Sequence, residues 1–273
     1  MLDLKNAYEH FFLKCVLAFS LLLLAGCIFD DDEDVEPWNA EAVCPAEGVN
    51  VYGMPNRGTF TDERDGEVYR YTTIGNQVWM AENLRYDAPY STCSNDTSFI
   101  RQYCELIEHN CETEACCKES LCRTFGRYYS IIEGGAEFGL IDSALADTIC
   151  PKGWHIPTKE DWEILENAMK VSGETGTDAA TRMKSADSGY FAISKNWFNA
   201  YDRMGSGTDD CALGVIPSGQ MYGSGDNFKT SAFFLSNSQQ NVDFLYVYRV
   251  ADGADFSYQG YRSSVRCVFD VIF

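Results

Sequence analysis

Ten cysteines stand where they can form disulfides: Cys44, Cys93, Cys104, Cys111, Cys116, Cys117, Cys122, Cys150, Cys211 and Cys267. In an oxidising compartment an even set of this kind pairs fully and leaves no free thiol. Six of the ten fall between residues 93 and 122, in a polar stretch with no clear hydrophobic period. That segment reads as an insert stapled by disulfides, too small to hold itself by packing. The pairing among its cysteines is left open by the sequence. Zinc is the rival use of clustered thiols, but there is no C-x-x-C pair, and the vicinal Cys116-Cys117 fits neither common zinc spacing.

Other reactive groups are sparse or diffuse. Beyond the first 26 residues the histidines are His109 and His155, so a Ser-His-Asp site or a histidine-bound metal would have to use one of them. His155 lies between Trp154 and Ile156 and reads as a hydrogen-bonded structural histidine; His109, beside Glu108 and Asn110, reads as solvent-facing. With 41 Asp and Glu, no carboxylate pair stands out as the acid and nucleophile of a glycosidase. Calcium, a hard cation, has its best candidate ligands in Asp202, Asp209 and Asp210 and in Asp226-Asn227, without the regular loop spacing of a dedicated site. The tyrosines Tyr69, Tyr71, Tyr128, Tyr129, Tyr246, Tyr248, Tyr258 and Tyr261 outnumber what one core hides completely, which favours a protein or sugar partner; a half-buried tyrosine on each strand is the plainer alternative. The expectation is a non-enzyme with no catalytic constellation.

The chemistry of Cys27 depends on what precedes it. Residues 15–26 form an apolar run, too short to span a bilayer as a mature helix and suited to a signal-peptide core. The run ends Leu24-Ala25-Gly26-Cys27, which resembles a bacterial lipobox. The resemblance implies cleavage before Cys27, a diacylglycerol on its sulfur and further acylation, palmitate included. Five acids, Asp30-Asp31-Asp32-Glu33-Asp34, follow closely and must stay solvated as a tether. Acid runs at this place also resemble surface-export signals of gram-negative lipoproteins. The expected location is the cell envelope, lipid-anchored in the outer membrane, with the outer surface an alternative.

Composition fits that address. The chain of 273 residues carries a net charge of −20, and residues 1–26 hold two basic and two acidic groups, so the mature part keeps all of it. Such a charge repels nucleic acid and anionic lipid. A hydrophobic content of 45% excludes a disordered chain.

The elements that must position these groups are short. Residues 27–59 read as acidic tether and linker. Val68 to Ile74 and Gln77 to Met80 flank Gly75-Asn76, which predicts a hairpin. The one main helix spans about 158–172: Pro157 blocks extension backwards, Thr158 and Asp161 resemble a capping box, and Trp162, Leu165 and Met169 share a face before Gly173. Further short strands are predicted at 212–216, 232–236, 243–250 and 263–269. The pattern is α+β.

Several blocks resemble, in order, the Fibrobacter succinogenes major paralogous domain. They are residues 64–66 (RDG), 74–84 (IGNQVWMAENL), 125–129 (FGRYY), 149–158 (ICPKGWHIPT), Asp161-Trp162 with Leu165, 216–219 (IPSG) and 264–267 (SVRC). The resemblance covers roughly residues 60–270, giving a domain at 60–273, and implies an exported, often lipid-anchored protein without an established activity. Residues 232–236 (AFFLS) replace a family Trp-Ser pair, with Phe233 or Phe234 filling that core site. Ile156-Pro157-Thr158 with Trp162, and the SVRC block, are also similar to formylglycine-generating enzymes, which implies a C-type-lectin-like fold. Those enzymes carry a catalytic cysteine pair upstream of the last strand, where this chain has no cysteine between 211 and 267. The resulting expectation is a surface binding module for polysaccharide or another envelope protein; an enzyme or a structural envelope protein is the alternative.

Overall fold

In the computed structural model the Gly75-Asn76 turn joins β2 (Val68–Ile74) to β3 (Gln77–Met80), with Ile74 opposite Gln77. Gly75 has φ +57°, the left-handed value that a two-residue hairpin of this kind requires. The structure describes residues 36–94, 100, 113–136, 139–186, 207–221, 231–239, 245–251, 253–259 and 262–270. Among these, β1 (Arg57–Thr61), β4 (Trp154–His155) and β8 (Val268–Phe269) complete a five-stranded sheet of order β1-β2-β3-β8-β4. A second sheet of order β5-β6-β7 is formed by β5 (Ala232–Gln239), β6 (Leu245–Val250) and β7 (Ala254–Gln259). Every named pairing is antiparallel, and the fold is α+β.

Trp162 shows how the helix face expected from the sequence is used. The Thr158–Asp161 capping box forms in both directions, satisfying backbone N–H groups that the helix itself leaves open. Trp162, Leu165 and Met169 are then fully buried. The indole stacks on Tyr248 at 4.6 Å and on Phe234 at 5.4 Å, and meets Trp79 at 4.6 Å. Burial of each such side chain contributes about 1.5–3 kcal/mol. Phe233 and Phe234, the two residues expected in the core here, are both buried.

Several expectations need correction. The helix, labelled α4, is Lys159–Ala168 and stops short of 172, because Met169 leaves the helical ψ at +7°. It is also one of several helices. Also described are α1 (Ala40–Val43), α2 (Glu114–Phe125), α3 (Ser143–Ile149) and α5 (Gly176–Met183). The described end of the 93–122 insert is therefore helical. In α2, Cys117, Leu121, Cys122 and Phe125 form a buried face, with cysteine serving as the apolar residue. No strand forms at 212–216, where Val215 makes only an isolated bridge to Lys184.

The packed unit begins at Trp38, well before residue 60. Trp38 donates its indole N–H to the Ala168 carbonyl at 2.8 Å and carries the Arg182 guanidinium over its ring at 4.4 Å. Residues 38–59 are therefore part of the fold rather than a linker. The acids at 30–34 lie outside the described residues.

Candidate functional site

Arg70, Glu82, Asp209 and Arg266 come from distant parts of the chain and line one polar cleft of about 140 Å³. Strand alternation puts Arg70 on the exposed phase of β2, between buried Tyr69 and Tyr71. Ala81, Glu82 and Asn83 directly follow β3, and Arg266 directly precedes the Cys267–Val268 stretch that enters β8. Three of the motif blocks contribute to the lining, through Ala81-Glu82-Asn83, Ile216 and Arg266.

Arg266 is the frame of this cleft. It is fully buried, and its hydrogen bonds among the described residues go to an amide oxygen and two carbonyls. Its Nε donates to Asn83 Oδ1 at 2.8 Å and its Nη2 to the Gly214 carbonyl at 2.8 Å, while Nη1 donates to the Leu213 carbonyl. Burial lowers its pKa to about 9, against the opposing pull of the Asp209 and Glu82 charges. Asn83 is itself held, donating to the Phe125 carbonyl at 2.8 Å and to Ser264 Oγ at 3.4 Å.

The loop that Arg266 grips is strained. Asp209, Ala212 and Gly214 have φ of +52°, +54° and +62°. The two side-chain-bearing residues cost about 1–3 kcal/mol each in that region, so the surroundings must hold them there. They do so from four sides. Asp209 Oδ1 accepts from Gly214 N at 2.7 Å, Thr72 Oγ1 donates to the Cys211 carbonyl at 2.6 Å, and Arg57 Nη2 donates to the Asp210 carbonyl at 3.3 Å. The Cys44–Cys211 disulfide fixes the middle of the loop.

The remaining charges are arranged in pairs. Glu82 accepts from the Arg70 backbone N–H at 2.7 Å, and its carboxylate lies 3.7 Å from Arg70 Nε and 3.5 Å from Arg85 Nη1. Arg85 is also paired with Glu67 at 3.1 Å and lies over the Tyr69 ring at 4.4 Å. The Arg70 side chain is 50% exposed and that of Arg85 only 14%. Burial raises the Asp209 pKa, outweighing the Gly214 hydrogen bond and the charges of Arg266, Arg70 and Arg57.

His155 is hydrogen-bonded as the sequence implied, between two carboxylates. Nδ1 is 2.5 Å from Asp270 Oδ1 and Nε2 is 3.2 Å from Asp161 Oδ2. Asp161 is also the capping residue of α4, holding Thr158 N and Oγ1. Burial works to lower the His155 pKa, but the hydrogen bonds and charges of Asp161 and Asp270 prevail and raise it. Burial likewise opposes ionisation of Asp161, and its bonds from His155 and Thr158 leave its pKa lowered. A histidine raised in the folded state contributes stability that is whole below about pH 6.5 and is lost as pH rises through its folded value. Raising the pH from about 6 to about 8 is expected to lower the Tm of the full chain more than that of His155→Gln; parallel pH profiles would contradict the bridge.

The other expected site residues fall as follows. Disulfides join Cys44–Cys211, Cys93–Cys122 and Cys150–Cys267, and Cys116 and Cys117 are disulfide-bonded as well. Cys27, Cys104, Cys111 and His109 lie outside the described residues, as do Asp202, Asp226 and Asn227. Asp209 and Asp210 serve the strained loop, and among the described residues no three or more His, Cys, Asp or Glu side chains converge as a metal site would.

Tyr69, Tyr71, Tyr128, Tyr129 and Tyr248 are all buried. Four of their hydroxyls have partners: Tyr128 donates to the Ser218 carbonyl, Tyr129 to the Tyr86 carbonyl and Tyr248 to Glu166, and Tyr69 accepts from Arg85 N. These five belong to the core and do not mark a partner surface. The side chains of Tyr246, Tyr258 and Tyr261 lie outside the described residues. Arg70, Glu82 and Arg266 were not singled out as site residues from the sequence. The available signal was a charged residue inside or beside an otherwise apolar block.

A family model described as the Fibrobacter succinogenes major domain matches residues 72–268. No curated protein and no solved structure matches the chain.

Proposed function

The chain belongs to the Fibrobacter succinogenes major domain family, and from that premise we propose that it is an exported, lipid-anchored protein of the bacterial cell envelope whose folded body is a non-catalytic binding module. Of the two partner classes, polysaccharide or another envelope protein, a small concave polar cleft favours polysaccharide. The observation that carries the reading is the pre-organisation of that cleft: a loop in left-handed conformations, clamped by a buried arginine and a disulfide. Rigid polar groups bind without the entropic cost of being ordered by the ligand.

Export is supported by the disulfides, which persist in oxidising compartments. Anchoring rests on the run that ends at Cys27. A C-type-lectin-like arrangement is proposed for the body. It is supported by the last strand, β8, which pairs with β3 and β4 and is tied to the end of α3 through Cys150–Cys267.

Binding of the full chain to an array of bacterial and plant glycans is expected to give selective signals. Silence across the array would remove the polysaccharide reading. Mass spectrometry of the cell-derived protein is expected to find acylated Cys27 as the N-terminus, and an unprocessed Met1 would remove the anchor.

One observation favours a second reading. Asp209, whose pKa burial raises, shares the cleft with the ion-paired Glu82, and two carboxylates in one cleft are the groups that acid–base hydrolases use. Release of new reducing ends from a bound glycan, abolished in Asp209→Asn, would establish hydrolysis in place of binding.

A further inference from the structure

The arginines that line the cleft are all engaged within the fold. Arg266 commits its three nitrogens to Asn83 Oδ1 and to the Leu213 and Gly214 carbonyls. Arg85 lies between Glu67 at 3.1 Å and Glu82 at 3.5 Å, and Arg70 is paired with Glu82 at 3.7 Å. Counting Asp209, the three guanidinium groups of the lining meet three carboxylates, of Glu67, Glu82 and Asp209, and the charges cancel. An anion entering the cleft would lie beside Glu82 and Asp209 and find every guanidinium in use. An ammonium would lie among three guanidinium groups. Repulsion over such short distances is only weakly screened by salt. The cleft therefore disfavours ions of either sign.

Two polar groups in it remain unused. Asp209 holds Gly214 N through Oδ1 at 2.7 Å, and its Oδ2 has no hydrogen-bond partner among the described residues. The Ser185 hydroxyl has none either, although its backbone N–H and carbonyl are bonded to Val215 and Gly207. Ser185 stands just past α5 and Asp209 opens the strained loop, so two separate segments present these groups to one space. A carboxylate oxygen only accepts a hydrogen bond, whereas a serine hydroxyl can donate or accept. An uncharged ligand that satisfies both carries two or more hydroxyls on a compact frame. Resting on the polysaccharide reading and narrowing it, we infer that the cleft selects an uncharged sugar ring, one hydroxyl donating to Asp209 Oδ2 and another bonded to Ser185 Oγ, and rejects uronic acids and amino sugars alike.

Neutral and charged sugars of one series share most of their hydroxyls, so the charge separates them. Asp209→Asn keeps an oxygen for Gly214 N, and asparagine tolerates the left-handed φ, so the loop is expected to survive. Ser185→Ala removes a hydroxyl that holds nothing else in the fold.

The test is calorimetric titration of the full chain with glucose and galactose, with their uronates, and with protonated glucosamine and galactosamine. At least one of the two neutral hexoses is expected to bind with a Kd on the order of 1 mM, and its charged counterparts at least about tenfold more weakly. That affinity is expected to be the same at about 0.01 M and about 1 M salt. Asp209→Asn is expected to weaken the neutral hexose at least about tenfold and to narrow its advantage over the uronate, and Ser185→Ala to weaken it about three- to tenfold, both with Tm unchanged. A uronate or amino sugar that binds as tightly as its parent hexose, or undiminished affinity in both variants, would overturn the inference. No binding of either hexose, while glycans on the array do bind, overturns it and leaves the polysaccharide reading in place. Silence of the array as well overturns both.

Discussion

Arg266→Ala is expected to destabilise the fold by about 3–5 kcal/mol. The guanidinium is fully buried, and its removal orphans the Leu213 and Gly214 carbonyls and Asn83 Oδ1 together. Each buried acceptor left unpaired costs about 1–3 kcal/mol, and the strained loop loses its main clamp as well. For a domain of this size the Tm is expected to fall by roughly 6–20 °C. Arg266→Met refills the volume but leaves the carbonyls unpaired, so it should fare little better than alanine. Arg266→Lys keeps the charge without the planar fork and should recover only part. Full recovery by methionine would show that the site needs volume alone.

Removing the Cys44–Cys211 disulfide by Cys44→Ser with Cys211→Ser is expected to cost about 2–5 kcal/mol. This bridge closes 167 residues, compared with 117 for Cys150–Cys267 and 29 for Cys93–Cys122. In the chain-entropy account the longest loop restrains the unfolded state most, by about 1.5 kcal/mol more than the shortest. A local effect adds to this. Cys44 caps α1 and Cys211 sits among the left-handed residues of the cleft loop, so breaking the bridge frees both. Denaturation midpoints of the three double-serine variants should fall in the order of loop length, with Cys44–Cys211 lowest. A midpoint for Cys93–Cys122 below the other two would show that local packing outweighs chain entropy.

The parts of the fold that were legible in the sequence are those carried by local chemistry. Gly75-Asn76 can serve as little other than a tight turn, and Thr158 with Asp161 after Pro157 announces a helix start by hydrogen bonds made within four residues. The helical period of α2 was hidden because two of its four buried positions are cysteines, which a sequence reading assigns to disulfides before packing. α5 was hidden in another way. It starts on Gly176 and buries only Ala179, Ala180 and Met183, a face too narrow to register as a stripe.

The apolar run at 212–216 resembled a strand. Its carbonyls are instead taken by the Arg266 side chain, a partner more than 50 residues away. Residues 38–59 resembled a linker because their anchor is Trp38 against Ala168, 130 residues distant. The cleft was invisible for the same reason. Arg70, Asp209 and Arg266 lie in distant stretches of the chain, and only the closed fold brings them together.

Hydrogen-exchange footprinting of the full chain, with and without a saturating glycan ligand, tests the central claim most directly. The cleft assignment predicts new protection at residues 81–85 and 209–214, with the rest of the body unchanged. Protection confined to the other side of the first sheet, around Tyr52, Phe60 and Phe269, would contradict it.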